Sequence, residues 1–146
     1  MVKIKEIMHG ITLVNQEATI LEIAKLMERK GIGSVLVETR NGVNGILTER
    51  DILKKVVASG LDPSVARAKH VMTKMIKTVG DEADIFEANE LFNKYNIRRL
   101  PVTDSNGNII GMLSIRDVTK SLPYAFRKLI RDDDYRGAVV FSKKND

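Results

Sequence analysis

The stretches GILTERD, at residues 45–51, and GMLSIRD, at residues 111–117, decide the fold of this chain. Each is an apolar run that ends in a hydroxyl side chain and carries an aspartate three residues later, as in Thr48 and Asp51. A hydroxyl followed by a carboxylate at that spacing is typical of a helix N-terminus. Each motif therefore predicts a strand that leads directly into a helix, and the second copy predicts an internal repeat.

The repeat extends well beyond the two motifs. With one residue inserted, residues 4–37 align with residues 68–102, and the alignment continues through both motifs. Identical pairs include Met8 with Met72, Glu22 with Glu87, Gly42 with Gly107, and Asp51 with Asp117. We therefore expect an α+β protein with two β-α-β-β-α repeats, at residues 1–60 and 66–122, packed with pseudo-twofold symmetry. Residues 123–146 form a C-terminal extension of uncertain structure.

Local signals support the same order of elements in both copies. Thr19 and Asp84 are predicted helix N-caps, and Gly31 and Asn96 are residue types that end helices in the left-handed conformation. The pairs Asn41-Gly42 and Asn106-Gly107 predict hairpin turns. Helical spacing predicts buried stripes at Ile20, Ile23, Ala24 and Met27, and at Ile85, Ala88, Leu91, Phe92 and Tyr95.

The composition excludes several classes of function. The 146 residues are 43% hydrophobic and 29% charged, as in globular proteins. Without cysteine, and with two histidines, the chain offers no disulfide, no thiolate zinc site and no cysteine nucleophile, so we predict no metal site. No apolar run approaches the length of a membrane span, which predicts a cytoplasmic protein. The net charge of +5 comes from scattered residues, which does not favour nucleic acid binding.

The duplicated motif has two interpretations. As local structure, Thr48 and Ser114 cap helices while Asp51 and Asp117 favour the positive helix end. As a binding site, a helix N-terminus with free backbone N–H groups suits phosphate, and an aspartate one turn inside accepts the hydroxyls of a ribose. Under the second interpretation, Gly45 and the equivalent Gly111 let the strand backbone approach a ligand.

Taken together, residues 4–122 resemble a tandem pair of CBS domains, the regulatory unit called a Bateman module. The resemblance rests on the two opening motifs, on VMT at residues 71–73, on IGSVLV at residues 32–37 and on IRRLPV at residues 97–102. It implies a non-catalytic regulatory protein for energy sensing, which binds AMP, ADP, ATP or S-adenosylmethionine in two clefts between the repeats. It also implies a homodimer that signals to a separate effector protein.

The resemblance assigns ribose hydroxyls to Asp51 and Asp117, and ribose or phosphate oxygens to Thr48 and Ser114. Each cleft also takes residues from the opposite repeat. The Asp51 cleft would use Thr78, Val79, Ile97, Arg98, Arg99 and Pro101, and the Asp117 cleft would use Leu13, Val14, Ile32, Gly33 and Ser34.

The two clefts are predicted to differ in charge. Arg98 and Arg99 offer guanidinium groups that match phosphate oxygens, whereas Gly33 and Ser34 stand at the aligned positions of the first repeat. The cleft of Asp117 would therefore bind more weakly or prefer a less charged ligand.

Other charged groups are left open or unassigned. Arg50 and Arg116, which directly precede the two aspartates, are either a second source of positive charge or solvated helix-start residues. His9 and His70 do not align with each other, and neither is assigned to a site. In the extension, RDDD does not predict a metal site, and GAVVF suggests a strand or arm that packs on another surface.

Two further functions compete with a nucleotide sensor. A structural or dimerisation adaptor would keep the fold with degenerate ligand clefts. A nucleotide-acting enzyme would need a positioned base or nucleophile, and the sequence has no P-loop and no aligned histidine pair.

The charge difference between the clefts yields a first prediction. Asp51→Ala should weaken adenosine-nucleotide binding more than Asp117→Ala does, because the arginines are assigned to the Asp51 cleft. Calorimetric titration of both variants and the wild type measures the two losses. Equal losses would contradict the predicted asymmetry.

Overall fold

The computed structural model describes residues 2–75 and 77–122. The strands are β1 (Leu13–Asn15), β2 (Ser34–Thr39), β3 (Gly42–Thr48), β4 (Thr73–Lys74), β5 (Val79–Gly80), β6 (Arg99–Thr103) and β7 (Ile109–Ser114). The helices are α1 (Ile20–Lys30), α2 (Glu49–Ile52), α3 (Ala68–Val71), α4 (Ile85–Tyr95) and α5 (Ile115–Ser121). A 3-10 turn covers Ile4–Glu6, and a π-helical turn, Leu53–Val57, continues α2. The predicted extension at 123–146 lies outside the described residues.

The two repeats form two sheets of the same design. In the first sheet, β1 runs parallel to β2, β2 pairs antiparallel with β3, and β3 pairs antiparallel with β4. In the second sheet, β5 is parallel to β6 and β6 is antiparallel to β7. The pairs β2–β3 and β6–β7 are the predicted hairpins. Gly42 and Gly107 have the positive φ angles, 98° and 82°, that the turns of these hairpins require. The α+β class and the β-α-β-β-α order are confirmed.

Capping defines the long helix of each repeat as predicted. The hydroxyl of Thr19 accepts a hydrogen bond from the Glu22 amide, and the Glu22 carboxylate accepts one from the Thr19 amide. At the start of α4, the carboxylate of Asp84 accepts from two amides of the first turn. The helices end at Gly31 and Asn96, both left-handed, with φ of 65° and 51°. The sequence therefore determines both ends of each long helix locally.

Each repeat encloses its own apolar core. One cluster includes Val14, Ile20, Ile23, Met27, Val35, Val37, Leu47, Val56, Ala68 and Val71. The other includes Ile4, Val79, Ala88, Phe92, Leu100, Val102 and Leu113. The predicted stripes lie on these cores, with Ala24, Leu91 and Tyr95 partly exposed rather than fully buried.

The compact units do not divide the chain where the sequence repeats begin. Residues 10–75 form one unit, and residues 2–9 form the other together with residues 77–122. The first residues of the first repeat thus belong to the core of the second unit, where Ile4 is completely buried. The first elements of the second repeat belong to the other unit: α3 lies in its core and β4 pairs with β3. The predicted repeats therefore divide the chain by sequence similarity, whereas the two compact units divide it by which residues pack together.

Polar contacts also hold the N-terminal segment in its unit. The amide of Ile4 donates to the carbonyl of Ala83 at 2.8 Å. The ammonium groups of Lys3 and Lys5 both bind the Glu82 carboxylate, and these hydrogen bonds lower the pKa of Glu82 to about 2. Because that pKa lies below the ordinary value, the contribution of this cluster is present above about pH 4.5 and is lost as the pH falls towards 2.

A methionine packs against the motif glycine in each unit. A methyl group on Gly111 would lie 2.5 Å from Sδ of Met8 and 3.1 Å from the carbonyl oxygen of His9. A methyl group on Gly45 would overlap Sδ of Met72 in the same way. The two methionines are aligned in the repeat, so each unit receives its incoming segment through the same contact.

This contact generates a prediction for stability. Gly111→Ala should destabilise the protein by about 1–3 kcal/mol, because the added methyl overpacks Met8 and the backbone at His9. Chemical denaturation measures the loss. Gly80→Ala is the matched control, since its methyl would meet no atom within 4 Å. Equal unfolding midpoints for the two variants would show that the glycine is not required for this packing.

Candidate functional site

The first motif forms a reciprocal cap at the junction of β3 and α2. The Thr48 hydroxyl accepts from the Asp51 amide at 3.2 Å, and Oδ2 of Asp51 accepts from the Thr48 amide at 3.0 Å. The second motif repeats this geometry between β7 and α5, with distances of 3.1 and 2.9 Å for Ser114 and Asp117. The capping interpretation is therefore confirmed for both motifs. It does not exclude binding, since the backbone amide of each cap donates to Oδ2 alone.

The second oxygen of Asp51 has donors from the incoming segment and from its own helix. The hydroxyl of Thr73 donates to Oδ1 of Asp51 at 3.0 Å, and Nζ of Lys55 lies 3.1 Å from the same oxygen. The ammonium group of Lys55 also donates to the carbonyl of Val71 and to the Thr73 hydroxyl. The Asp51 side chain is 13% exposed. This carboxylate is thus almost enclosed and carries a full set of donors.

Asp117 is held by a different residue. Nδ1 of His9 lies 2.7 Å from Oδ2 of Asp117, the same oxygen that accepts the cap hydrogen bond. The Asp117 side chain is 18% exposed and the His9 side chain 46% exposed. Among residues 2–75 and 77–122, no other side chain forms a hydrogen bond or ion pair with the Asp117 carboxylate. The two carboxylates therefore share a position in the fold but not their partners.

Sequence reasoning missed the role of His9, although the signal was present. His9 follows Met8, and Thr73 follows Met72, so the alignment of the two methionines makes His9 and Thr73 equivalent. A comparison of the two histidines does not reveal this equivalence, since His9 and His70 do not align with each other. In the structure, the equivalent residues contact the equivalent aspartates.

Several predicted residues of the first repeat lie near its own motif. The amide of Glu49 donates to the carbonyl of Gly33 at 3.1 Å, and Ser34 pairs with Thr48 across the sheet. Ile32 packs at the edge of the core. In β1, Leu13 is exposed and Val14 is buried, so only the former offers its side chain to solvent.

The second repeat repeats this arrangement with charged residues. The amide of Ile115 donates to the carbonyl of Arg98 at 3.1 Å, and Arg99 pairs with Ser114. Arg98 is exposed, and Arg99 is partly exposed. The remaining predicted residues are buried or partly buried: Thr78, Val79, Ile97 and Pro101. The structure thus brings the two arginines to the motif of their own unit, and the assignment of these residues to one cleft or the other stays a prediction.

The interpretation of the motif glycines is wrong. Gly45 and Gly111 were expected to let a ligand approach the strand, but the space in front of each is filled by a methionine side chain. The glycines are needed because a thioether packs directly on the backbone.

Three other features of the described residues concern metal ligands, surface cavities and membrane spans. No three histidine, aspartate or glutamate side chains among them form a group that could hold a metal ion. A surface cavity of about 450 Å³ lies between α1 and the start of α2, lined by Ala24, Met27, Glu28, Gly31, Ile32, Glu49 and Ile52. Asp51 is not part of its lining. None of the described helices is long and apolar enough to cross a bilayer.

Comparison with known proteins identifies the class. The CBS domain model matches the chain twice, over residues 4–58 and 68–124. The chain therefore belongs to the CBS-domain family and carries a tandem pair of these domains.

Individual relatives agree with this assignment. An uncharacterised protein of Methanopyrus kandleri is 39% identical over 107 residues, which cover 73% of this chain and 55% of that protein. The CBS domain protein of Pyrobaculum aerophilum, solved in complex with AMP, is 29% identical with a TM-score of 0.71, covering 80% of this chain and 89% of its own. A hexameric CBS-CP12 protein from bloom-forming cyanobacteria is 28% identical with a TM-score of 0.73, covering 99% and 88%.

The capping geometry generates a prediction. Ser114→Ala should lower stability by about 1 kcal/mol, because the Asp117 amide loses its acceptor at the start of α5. Ser114→Asn is the control, since an asparagine side chain also caps and should retain most of the stability. Urea denaturation compares the variants. An alanine variant as stable as the wild type would contradict a structural role for the hydroxyl.

Proposed function

We propose that this chain is a non-catalytic regulatory module that binds adenosine nucleotides, with Asp51 and Asp117 accepting ribose hydroxyls and Thr48 and Ser114 contacting ribose or phosphate oxygens. The observation that carries the proposal is the duplicated carboxylate at a helix N-terminus, built identically in both repeats of a CBS pair. The AMP complex of the Pyrobaculum relative supports the choice of ligand.

The geometry of each carboxylate suits an exchange of donors. An ionised carboxylate only accepts hydrogen bonds, and a ribose presents two neighbouring hydroxyl donors. Thr73 and Lys55 supply donors to one oxygen of Asp51, while His9 supplies the corresponding donor to Asp117. A ribose would replace these donors and leave the cap in place. On binding, each carboxylate would therefore exchange hydrogen bonds from protein donors for hydrogen bonds from the ribose hydroxyls.

Positive charge for the phosphate comes from arginines near the motifs. Arg98 is exposed and Arg99 is partly exposed, so the guanidinium groups remain accessible to an anion. Arg50 and Arg116 are exposed beside the two aspartates and are available for the same purpose. The contribution of each repeat to the opposite cleft rests on the family resemblance.

Regulation requires that the ligand bind two states with different affinity. The free energy that a nucleotide transmits cannot exceed this difference. A cytoplasmic homodimer that reports the energy state to a separate effector protein fits such a module. The hexameric cyanobacterial relative supports assembly of several chains.

The second candidate is a structural adaptor with degenerate clefts. The observation in its favour is that both aspartates are satisfied within the protein, by the caps and by Thr73, Lys55 and His9. On this view the motifs serve folding alone, and the chain functions through its surfaces.

A ligand screen separates the two candidates. Thermal shift and calorimetry with AMP, ADP, ATP and S-adenosylmethionine should reveal at least one ligand, which at a hundred times its Kd adds about 2.7 kcal/mol of stability. The double variant Asp51→Asn with Asp117→Asn should lose the response. Glu90→Gln is the matched control, because it removes one exposed carboxylate outside both motifs.

Failure of every compound to shift the wild type would favour the adaptor. A response retained by the double variant would contradict the role of the two aspartates. Release of phosphate from ATP by the purified protein would contradict the non-catalytic assignment.

A further inference from the structure

The two motif aspartates are held by side chains of different chemistry. Asp51 is held by the hydroxyl of Thr73 and the ammonium group of Lys55, neither of which changes charge near neutral pH. Asp117 is held by the imidazole of His9 at 2.7 Å. Imidazole is the side chain that ordinarily gains or loses its charge between pH 5 and 8. The contact of Asp117 therefore includes an imidazole, which can make it sensitive to pH, whereas the contacts of Asp51 include none.

The position of His9 is determined by the fold. Its amide donates to the Met112 carbonyl at 3.0 Å, and the Met112 amide donates to the His9 carbonyl at 2.9 Å. The preceding Met8 packs on Gly111. The amide and the carbonyl of His9 are thus both bonded to β7, and these bonds hold the backbone from which the ring reaches Asp117.

The other charged groups around His9 do not titrate in the same range. Strand β7 carries no charged side chain, and α5 contributes Arg116, Asp117 and Lys120. Strand β6 contributes Arg99, which pairs with Ser114. On the segment of His9 itself are Lys3, Lys5 and Glu6, and the Glu6 carboxylate accepts from the Lys3 amide. Among the described residues of these elements, His9 is the only histidine, the residue type that serves as a switch near physiological pH.

Protonation strengthens the contact at Oδ2 of Asp117, an oxygen that a ribose held by both carboxylate oxygens would also use. The neutral ring offers the carboxylate a hydrogen bond, whereas the protonated ring adds the attraction between opposite charges. The protonated ring therefore competes more effectively than the neutral ring for the Asp117 carboxylate. Acidic pH favours the internal pair and opposes the nucleotide.

We propose that His9 makes the Asp117 site pH-sensitive, so that it binds adenosine compounds at alkaline pH and releases them on acidification, whereas the Asp51 site lacks this response. This inference rests on the proposed nucleotide binding. It assigns the two repeats different roles: the Asp51 site reports the ligand alone, and the Asp117 site reports the ligand together with proton concentration.

Adenosine is the appropriate probe, because it lacks the phosphate group that itself titrates near pH 6. Calorimetry is performed on an Asp51→Asn background, which leaves the Asp117 site. Affinity should be severalfold weaker at about pH 5.5 than at about pH 8, since a protonated histidine holds a carboxylate more strongly than a neutral one does.

Matched variants identify the residue responsible. His9→Thr, which installs the residue of the equivalent position in the first repeat, should remove the pH dependence. His70→Thr removes the other histidine and should preserve it. In an Asp117→Asn background, Thr73→His should introduce a pH dependence at the Asp51 site.

Measurement of the histidine ring by NMR tests the contact without a ligand. The nitrogen resonance of His9 Nδ1 should move in Asp117→Asn at a fixed pH, because the ring loses the carboxylate that it contacts. An unchanged resonance would overturn the inference.

The remaining outcomes separate this inference from the proposed function. Wild-type protein that binds neither adenosine nor AMP at either pH would overturn both, even if the contact between His9 and Asp117 is present. Binding by the wild type that is lost in Asp51→Asn, binding equal at the two pH values, or tighter binding at about pH 5.5 would overturn the inference alone.

Discussion

The packing of a methionine on a strand glycine is the contact on which both units depend. Met8 on Gly111 and Met72 on Gly45 bring each incoming segment against the strand that ends in the motif. The residue after each methionine then reaches the motif aspartate, as His9 reaches Asp117 and Thr73 reaches Asp51. A side chain at either glycine would displace the segment and with it the partner of the carboxylate.

Each motif aspartate can cap a helix and also accept hydrogen bonds from a second partner, because a carboxylate has two oxygens. One oxygen of Asp51 satisfies the first turn of α2, while the other accepts from Thr73 and Lys55. At Asp117 a single oxygen receives both the cap and His9. A folding role and a binding role are therefore not alternatives at these positions. The capping bonds hold the carboxylate where a ribose would need it, which reduces the loss of side-chain freedom on binding.

Equivalent positions of the two repeats carry different residues. Lys55 has no charged counterpart in the second repeat, where Ser121 stands at the aligned position, and His9 stands at the position that aligns with Thr73. The difference between the two sites therefore lies in the residues that hold the aspartates as well as in the arginines that the sequence singled out. The two repeats would therefore respond differently to a ligand because of the charged side chains around each aspartate, and not because of the motif that they share.

The sequence by itself determined the repeat, the order of its elements, the helix ends at Gly31 and Asn96, and the caps at Thr48 and Ser114, because these depend on interactions within a few residues. Only the tertiary structure decided that residues 2–9 pack with the second repeat and that His9 meets Asp117. Those contacts join residues between 77 and 108 positions apart, and nothing in local spacing specifies which distant strand an apolar segment will cover.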